Sequence, residues 1–179
     1  YFNRGICLAN YEKYKEAIKN FDQVIKLDSQ YIDAYLNRGK SNLFLENYED
    51  SIKDFDQVIK LDSQYIDAYF CRGKSNLILE NYEDAIKDFD QIIKLDSQNI
   101  DLYYYRGIAH QGTQNFREAI KNYDKVINLD KKNAWGYNFR GYCYGELYEY
   151  EKGIRDFDEA LKIDSKIEDF HFNRGLCHN

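Results

Sequence analysis

Proline and methionine are absent from the 179 residues, and there are only ten glycines, four cysteines and one tryptophan. With no proline to fix φ, every bend must be made by side-chain hydrogen bonds or by packing. No uncharged apolar run approaches the roughly 18 residues needed to cross a bilayer, so transmembrane and signal-peptide readings fall away, and no membrane partner is expected. Positive charge is in deficit: 25 lysines and arginines face 31 aspartates and glutamates, for a net charge of -6. That leaves no excess field for a phosphate backbone, which excludes nucleic acid as the main partner. The cysteines show neither metal-type spacing nor a disulfide framework, so a reducing, intracellular and by default cytoplasmic setting is expected. Phosphate loops, nucleophile elbows and histidine-rich ligand sets are missing too, so the chain reads as non-enzymatic, with no cofactor and no metal.

What is abundant is aromatic: eighteen tyrosines and eleven phenylalanines. The opening Tyr1-Phe2-Asn3-Arg4-Gly5 reads as the middle of a helix, and the chain is expected to be part of a larger chain or complex.

Self-similarity organises the rest. Gly5, Gly39, Gly73, Gly107, Gly141 and Gly175 stand 34 residues apart without an insertion. Arg4, Arg38, Arg72, Arg106, Arg140 and Arg174 precede them, and Tyr1, Tyr35, Tyr69, Tyr103 and Tyr137 lie four residues upstream, with His171 in the last copy. Residues 32–65 and 66–99 match at 28 of 34 positions, which marks a recent duplication of one unit. The copies are 1–31, 32–65, 66–99, 100–133 and 134–167, followed by a partial copy at 168–179.

Within a copy the apolar spacing is three and four, so each copy is two helices. Asn47 sits between them in the second copy, and Asn115 with Glu118 three residues on reads as a capping box. Leu61-Asp62-Ser63-Gln64 closes the second helix, because Asp and Ser there favour a local side-chain turn. Two residues after each glycine stands Ser41, Ser75, Ala109, Cys7, Cys143 or Cys177, small enough to let the two helices of a copy approach closely. An arginine beside such a core needs a partner, and Asp22, Asp56, Asp90, Asp124 and Asp158 recur at the same period, so an internal Arg-Asp ladder is expected.

The glycine, its upstream ring, Ala17, Ala85 and Ala119 twelve residues beyond, and Phe21, Phe55, Phe89 and Phe157 four later resemble the tetratricopeptide repeat. The resemblance implies an all-α fold, a right-handed α-solenoid in which antiparallel helix pairs stack into a superhelix. It departs in two places: Ser29, Ser63, Ser97, Lys131 and Ser165 stand where the family usually has proline, implying a softer turn, and Gly153 replaces the usual alanine, marking the copy most easily opened.

In arrays of this kind the first helices line a concave surface. Carried over by register, that surface holds Asn37, Lys40, Phe70, Lys74, Tyr104, Tyr105, Ile108, Trp135, Asn138, Phe139 and Tyr142, an aromatic channel with an acidic edge. Family members that clamp acidic chaperone tails have lysines where this chain has Leu36, Phe70 and Tyr104, then Asp33, Asp67, Asp101 and Trp135, so that ligand is disfavoured. An asparagine ladder on a peptide backbone is interrupted by Cys71, Tyr105 and Phe139. A peptide or amphipathic helix of a partner protein fits best. The expected function is a non-enzymatic protein-interaction scaffold. The alternative is a structural segment of a large multiprotein assembly, docking through its convex face and ends.

Overall fold

The computed structural model describes residues 1–166. They form ten α-helices and, among the described residues, no strand: α1 (Phe2–Asn10), α2 (Tyr14–Leu27), α3 (Ile32–Phe44), α4 (Tyr48–Leu61), α5 (Ile66–Ile78), α6 (Tyr82–Leu95), α7 (Ile100–Gly112), α8 (Phe116–Leu129), α9 (Ala134–Glu146) and α10 (Tyr150–Ile163). The partial copy 168–179, with His171, Arg174, Gly175, Cys177 and His178, lies outside the described residues. Two compact units emerge, Tyr1–Ile92 and a second beginning at Ile93. In the first, α1 packs on α2, α2 on α3, α3 on α4 and α4 on α5; in the second, α7 packs on α8, α8 on α9 and α9 on α10. Sequence neighbours are thus spatial neighbours within each unit, as stacking of helix pairs requires.

The glycine column exists because a ring from the same copy lies against it. A Cβ on Gly39 would come within 2.9 Å of Phe55 Cε1, and one on Gly107 within 2.7 Å of Tyr123 Cε1. Phe21, Phe55, Phe89, Tyr123 and Phe157 are all buried in that slot. In the fifth copy the approach is of backbone to backbone, with the Gly153 carbonyl oxygen 3.0 Å from where a Gly141 Cβ would stand.

The small-residue slot two places later does something different from what the sequence suggested. Ser75 Oγ lies 3.4 Å from Ser51 Oγ of the preceding copy, and Cys143 shares a cluster with Ala119 and Tyr123 of the preceding copy. The slot therefore faces the previous pair's second helix, and its small size sets the spacing between copies. Cys7, in the same slot of the first copy, is exposed.

Two turns recur. Inside each copy, the first helix ends in a residue with positive φ that is never glycine: Glu12, Glu46, Glu80, Gln114 and Tyr148, at φ 58 to 62. Glu46 N–H donates to the Leu43 carbonyl and Asn47 N–H to the Asn42 carbonyl, the paired bonds of a Schellman ending. This overturns the capping box at Asn115. Its N–H is already given to the His110 carbonyl at 2.8 Å, so Glu118 has no donor to reach back to, and the Asn115 side chain makes no cap bond. Glu118 pairs with Lys121 at 2.5 Å instead. The asparagines that do cap are Asn99, accepting from Asp101 N–H, and Asn133, accepting from Gly136 N–H.

Between copies, the aspartate turn forms as expected. Asp28, Asp62, Asp96, Asp130 and Asp164 each accept from the backbone N–H two residues on, at 2.9 to 3.0 Å. A tyrosine completes the first three turns: the Tyr35, Tyr69 and Tyr103 hydroxyls donate to the Ser29, Ser63 and Ser97 carbonyls. Two side chains hold in place a bend that has no proline.

Candidate functional site

Arg38, Arg72 and Arg140 each emerge between two second helices, and the geometry of that position decides what they can do. Arg38 donates from Nε and a terminal nitrogen to Asp54 and from the other terminal nitrogen to Asp22 at 2.6 Å. Arg72 does the same with Asp88 and Asp56, and Arg140 with Asp156 and Asp124. The ladder forms at Asp22, Asp56 and Asp124, but it is double. Asp22, Asp56 and Asp124 are its half-exposed outer rungs, while Asp54, Asp88 and Asp156 are buried. The inner set went unread in the sequence because the slot holds Asn20 and Asn122 in other copies, which masks its charge; Arg106 Nε donates to Asn122 at 2.7 Å. Arg4 is exposed.

Burial alone would lower the arginines, but the hydrogen bonds they donate to two carboxylates outweigh it and hold Arg38, Arg72 and Arg140 above their ordinary range. Burial pushes Asp54, Asp88 and Asp156 upward, and the arginine draws them back only in part. The two directions agree once the charges are counted, since two carboxylates share one cation. Clefts of about 290 Å³ and 220 Å³ open at the Arg38 and Arg72 nodes. Their guanidinium groups are each already held by two carboxylates, which disfavours an acidic ligand in these clefts.

The rings expected to line a groove are in the second unit. Tyr105 meets Tyr104 edge-on at 5.6 Å, Tyr104 meets Phe139 at 5.5 Å, and Phe139 stacks on Trp135 at 5.7 Å and on Tyr123 at 5.7 Å. Tyr104 and Phe139 also rest on the cluster of Ala119, Tyr123 and Cys143, so they belong partly to the core. Trp135, stacked on the anchored Phe139, remains 39% exposed, and Tyr142 is 38% exposed. Ile108 is half-buried. Asn138 is only 2% exposed and sits beneath the surface rather than on it. Tyr142 is raised by burial and by Glu146, whose carboxylate accepts its hydroxyl. Burial pushes the Cys143 thiol beneath them up to about 12, so it is a packed apolar group and not a nucleophile.

In the first unit the corresponding helices are α3 and α5. Lys40 Nζ is 3.2 Å from Asp67, and Lys74 Nζ lies over the Phe70 ring at 5.6 Å. Asn37 spends its Nδ2 on the Asp33 carbonyl of its own helix at 2.7 Å. Leu36, placed by register on the same surface, is buried against Phe55 and Val58.

Among the described residues no His/Cys/Asp/Glu group could hold a metal ion, and no helix is long and apolar enough to cross a membrane. Helix pairs repeating every 34 residues on a glycine-ring lock define an all-α protein of the solenoid class. The chain belongs to the tetratricopeptide repeat family, whose models match residues 12–43, 32–65, 66–99, 100–133 and 136–167. No curated protein matches it in sequence. Among solved structures it is similar to a crystal structure of MamA protein, at 23% identity and TM-score 0.88 over 93% of this chain and 91% of that one. It is similar as well to YrrB, described as a TPR protein with an unusual peptide-binding site, at 19% identity and TM-score 0.91 over 98% and 90%. A third is MamA from residue 41 to its end, from Desulfovibrio magneticus RS-1, at 16% identity and TM-score 0.86 over 91% and 92%. At these identities the likeness is one of fold. Family and fold support a protein-interaction scaffold, a class that is typically non-enzymatic.

Proposed function

We propose that this scaffold binds a peptide or helical segment of a partner protein on the ring-bearing face of α7 and α9. The observation that carries the reading is the chain of rings Tyr105, Tyr104, Phe139 and Trp135, anchored from below by Tyr123 and left partly open to solvent. Rigid amphipathic rings of this kind give large contact area at low entropic cost and dominate recognition at interfaces. Tyr104, Tyr105, Ile108, Trp135, Phe139 and Tyr142 are the contact residues of this reading, with Asn138 supporting them. In the first unit Asn37, Lys40, Phe70 and Lys74 form a second, more polar contact set. The partner is protein rather than nucleic acid or membrane, the function is non-enzymatic, and the unpaired thiols of Cys7, Cys71 and Cys143 suit an intracellular, cytoplasmic setting.

Replacing Tyr105, Trp135 and Tyr142 by alanine, which spares the core contacts of Tyr104 and Phe139, is expected to abolish partner capture while circular dichroism keeps its helical signal. Undiminished capture by that variant removes the reading.

The alternative, a structural segment of a large assembly, draws on a different observation. In the first unit Phe44 is 65% and Ile78 51% exposed at the ends of first helices, and Tyr14 stacks on Phe44 at 4.8 Å. An apolar edge of that kind suits flat docking, and Phe44→Ser with Ile78→Ser would break it without touching the rings.

A further inference from the structure

The register of the repeat shows what the ring face has lost. The slot that holds Lys40 and Lys74 in α3 and α5 holds Ile108 and Tyr142 in α7 and α9. The lysines and arginines of α7 and α9 number two, Arg106 and Arg140, and both are turned away to the second helices, Arg106 onto Asn122 and Arg140 onto Asp124 and Asp156. One carboxylate has stayed and one is new: Asp33 and Asp67 have their counterpart in Asp101, while in α9 that slot is Trp135 and Glu146 stands where earlier copies have Phe44, Ile78 and Gly112. Asp101 is exposed in the first turn of α7, three and four residues before Tyr104 and Tyr105 and so on their stripe. Glu146 is exposed at the last position of α9, against the Tyr142 hydroxyl.

A face built this way has a sign. Aromatic faces are negative at their centres, and they attract lysine and guanidinium groups. The carboxylates at either end add to the same potential. An acidic segment would be repelled, and a wholly apolar one would strip water from two carboxylates without replacing it.

We propose that the ring face of α7 and α9 selects a segment carrying lysine or arginine among apolar residues, its cations seated over the rings and against Asp101 and Glu146. This rests on the reading of that face as a partner-binding site and adds the chemistry of the partner.

The single tryptophan is Trp135, so its emission reports binding at this face alone. The probes are two synthetic amphipathic helical peptides with the same leucine stripe, one with lysine and one with glutamate on the remaining positions, titrated into the full chain. The lysine peptide is expected to bind roughly tenfold tighter, the size of two rim charges with one cation over a ring. Asp101→Asn with Glu146→Gln is expected to cut that ratio to about threefold or less while both peptides still bind. Glu49→Gln with Glu83→Gln, on the first turns of α4 and α6, changes net charge equally and should leave the ratio in place.

If the glutamate peptide binds as tightly as the lysine one while Tyr105→Ala and Tyr142→Ala weaken both, the preference is overturned and the binding face survives. A ratio that falls equally in the Glu49 and Glu83 variant assigns it to net charge and overturns the proposal as well. Should neither peptide bind, or should binding ignore the ring substitutions, both the preference and the proposed function fail.

Discussion

At the bend within each copy a left-handed backbone is imposed on glutamate, glutamine or tyrosine, and the strain is local enough to be relieved by one substitution. A non-glycine side chain at such φ costs roughly 1 to 2 kcal/mol, part of which a glycine gives back as unfolded-state entropy. Tyr148, at φ 62 and 80% exposed, loses little else. Tyr148→Gly is expected to raise stability by about 0.5 to 1 kcal/mol in urea denaturation. A loss of that size instead would mean that its edge contact with Tyr150 outweighs the strain. This feature was invisible in the sequence because glutamate at a turn carries no signal of positive φ. The glycine column was legible for the opposite reason: only a missing Cβ fits beside Phe55 or Tyr123, so the residue cannot drift.

Joints between helices are governed by the arginine nodes. Removing one partner of a buried pair strands the other, at a cost of about 3 to 5 kcal/mol. Arg72→Leu should therefore destabilise the first unit by that order, since Asp88 is 2% exposed. Asp88→Asn should cost far less, because Asn122 already fills the equivalent position and accepts from Arg106. The pH dependence separates the two roles. Burial raises the folded Asp88 carboxyl above its usual range. As pH climbs through that range the unfolded chain ionises first, so the stability owed to this group is greatest in acid and declines until the folded carboxyl ionises too. Asp88→Asn removes the decline, and its stability relative to the parent should improve as pH rises above the ordinary carboxylate range in paired denaturation curves. A difference that moves the other way would mean that Arg72 outweighs burial. The outer rungs were readable because Asp22, Asp56 and Asp124 keep strict period. The inner ones were not, since that slot holds Asn in two copies and Asp in three, and burial is a property of packing.

For the molecule as a whole, stability within each unit is a sum over neighbouring pairs. Residues 32–65 and 66–99 differ at few positions, and α2 meets α3 through Asp22 and Arg38 just as α4 meets α5 through Asp56 and Arg72. Excising residues 32–65 should let Arg72 meet Asp22, giving a chain that still melts cooperatively with a denaturant slope lower by about a fifth. A broad, uncooperative melt would show that the copies are not interchangeable. The period, the helix pairs and the ring cluster could all be taken from the sequence. The division of Tyr104 and Phe139 between core and surface could not, because register fixes which face a ring is on and not how deeply its neighbours cover it.

The double arginine node has one more effect. A joint with the same chemistry at Arg38 and Arg72 carries no address of its own, so the Asp22 rung of α2 does not distinguish α3 from α5, or from the same helix of another molecule. Connections of four residues, such as 28–31, supply the missing information by tethering. They hold the correct neighbour at an effective concentration on the order of millimolar, far above what a free competitor reaches in dilute solution. What the node leaves unspecified is thus supplied by the brevity of the tether.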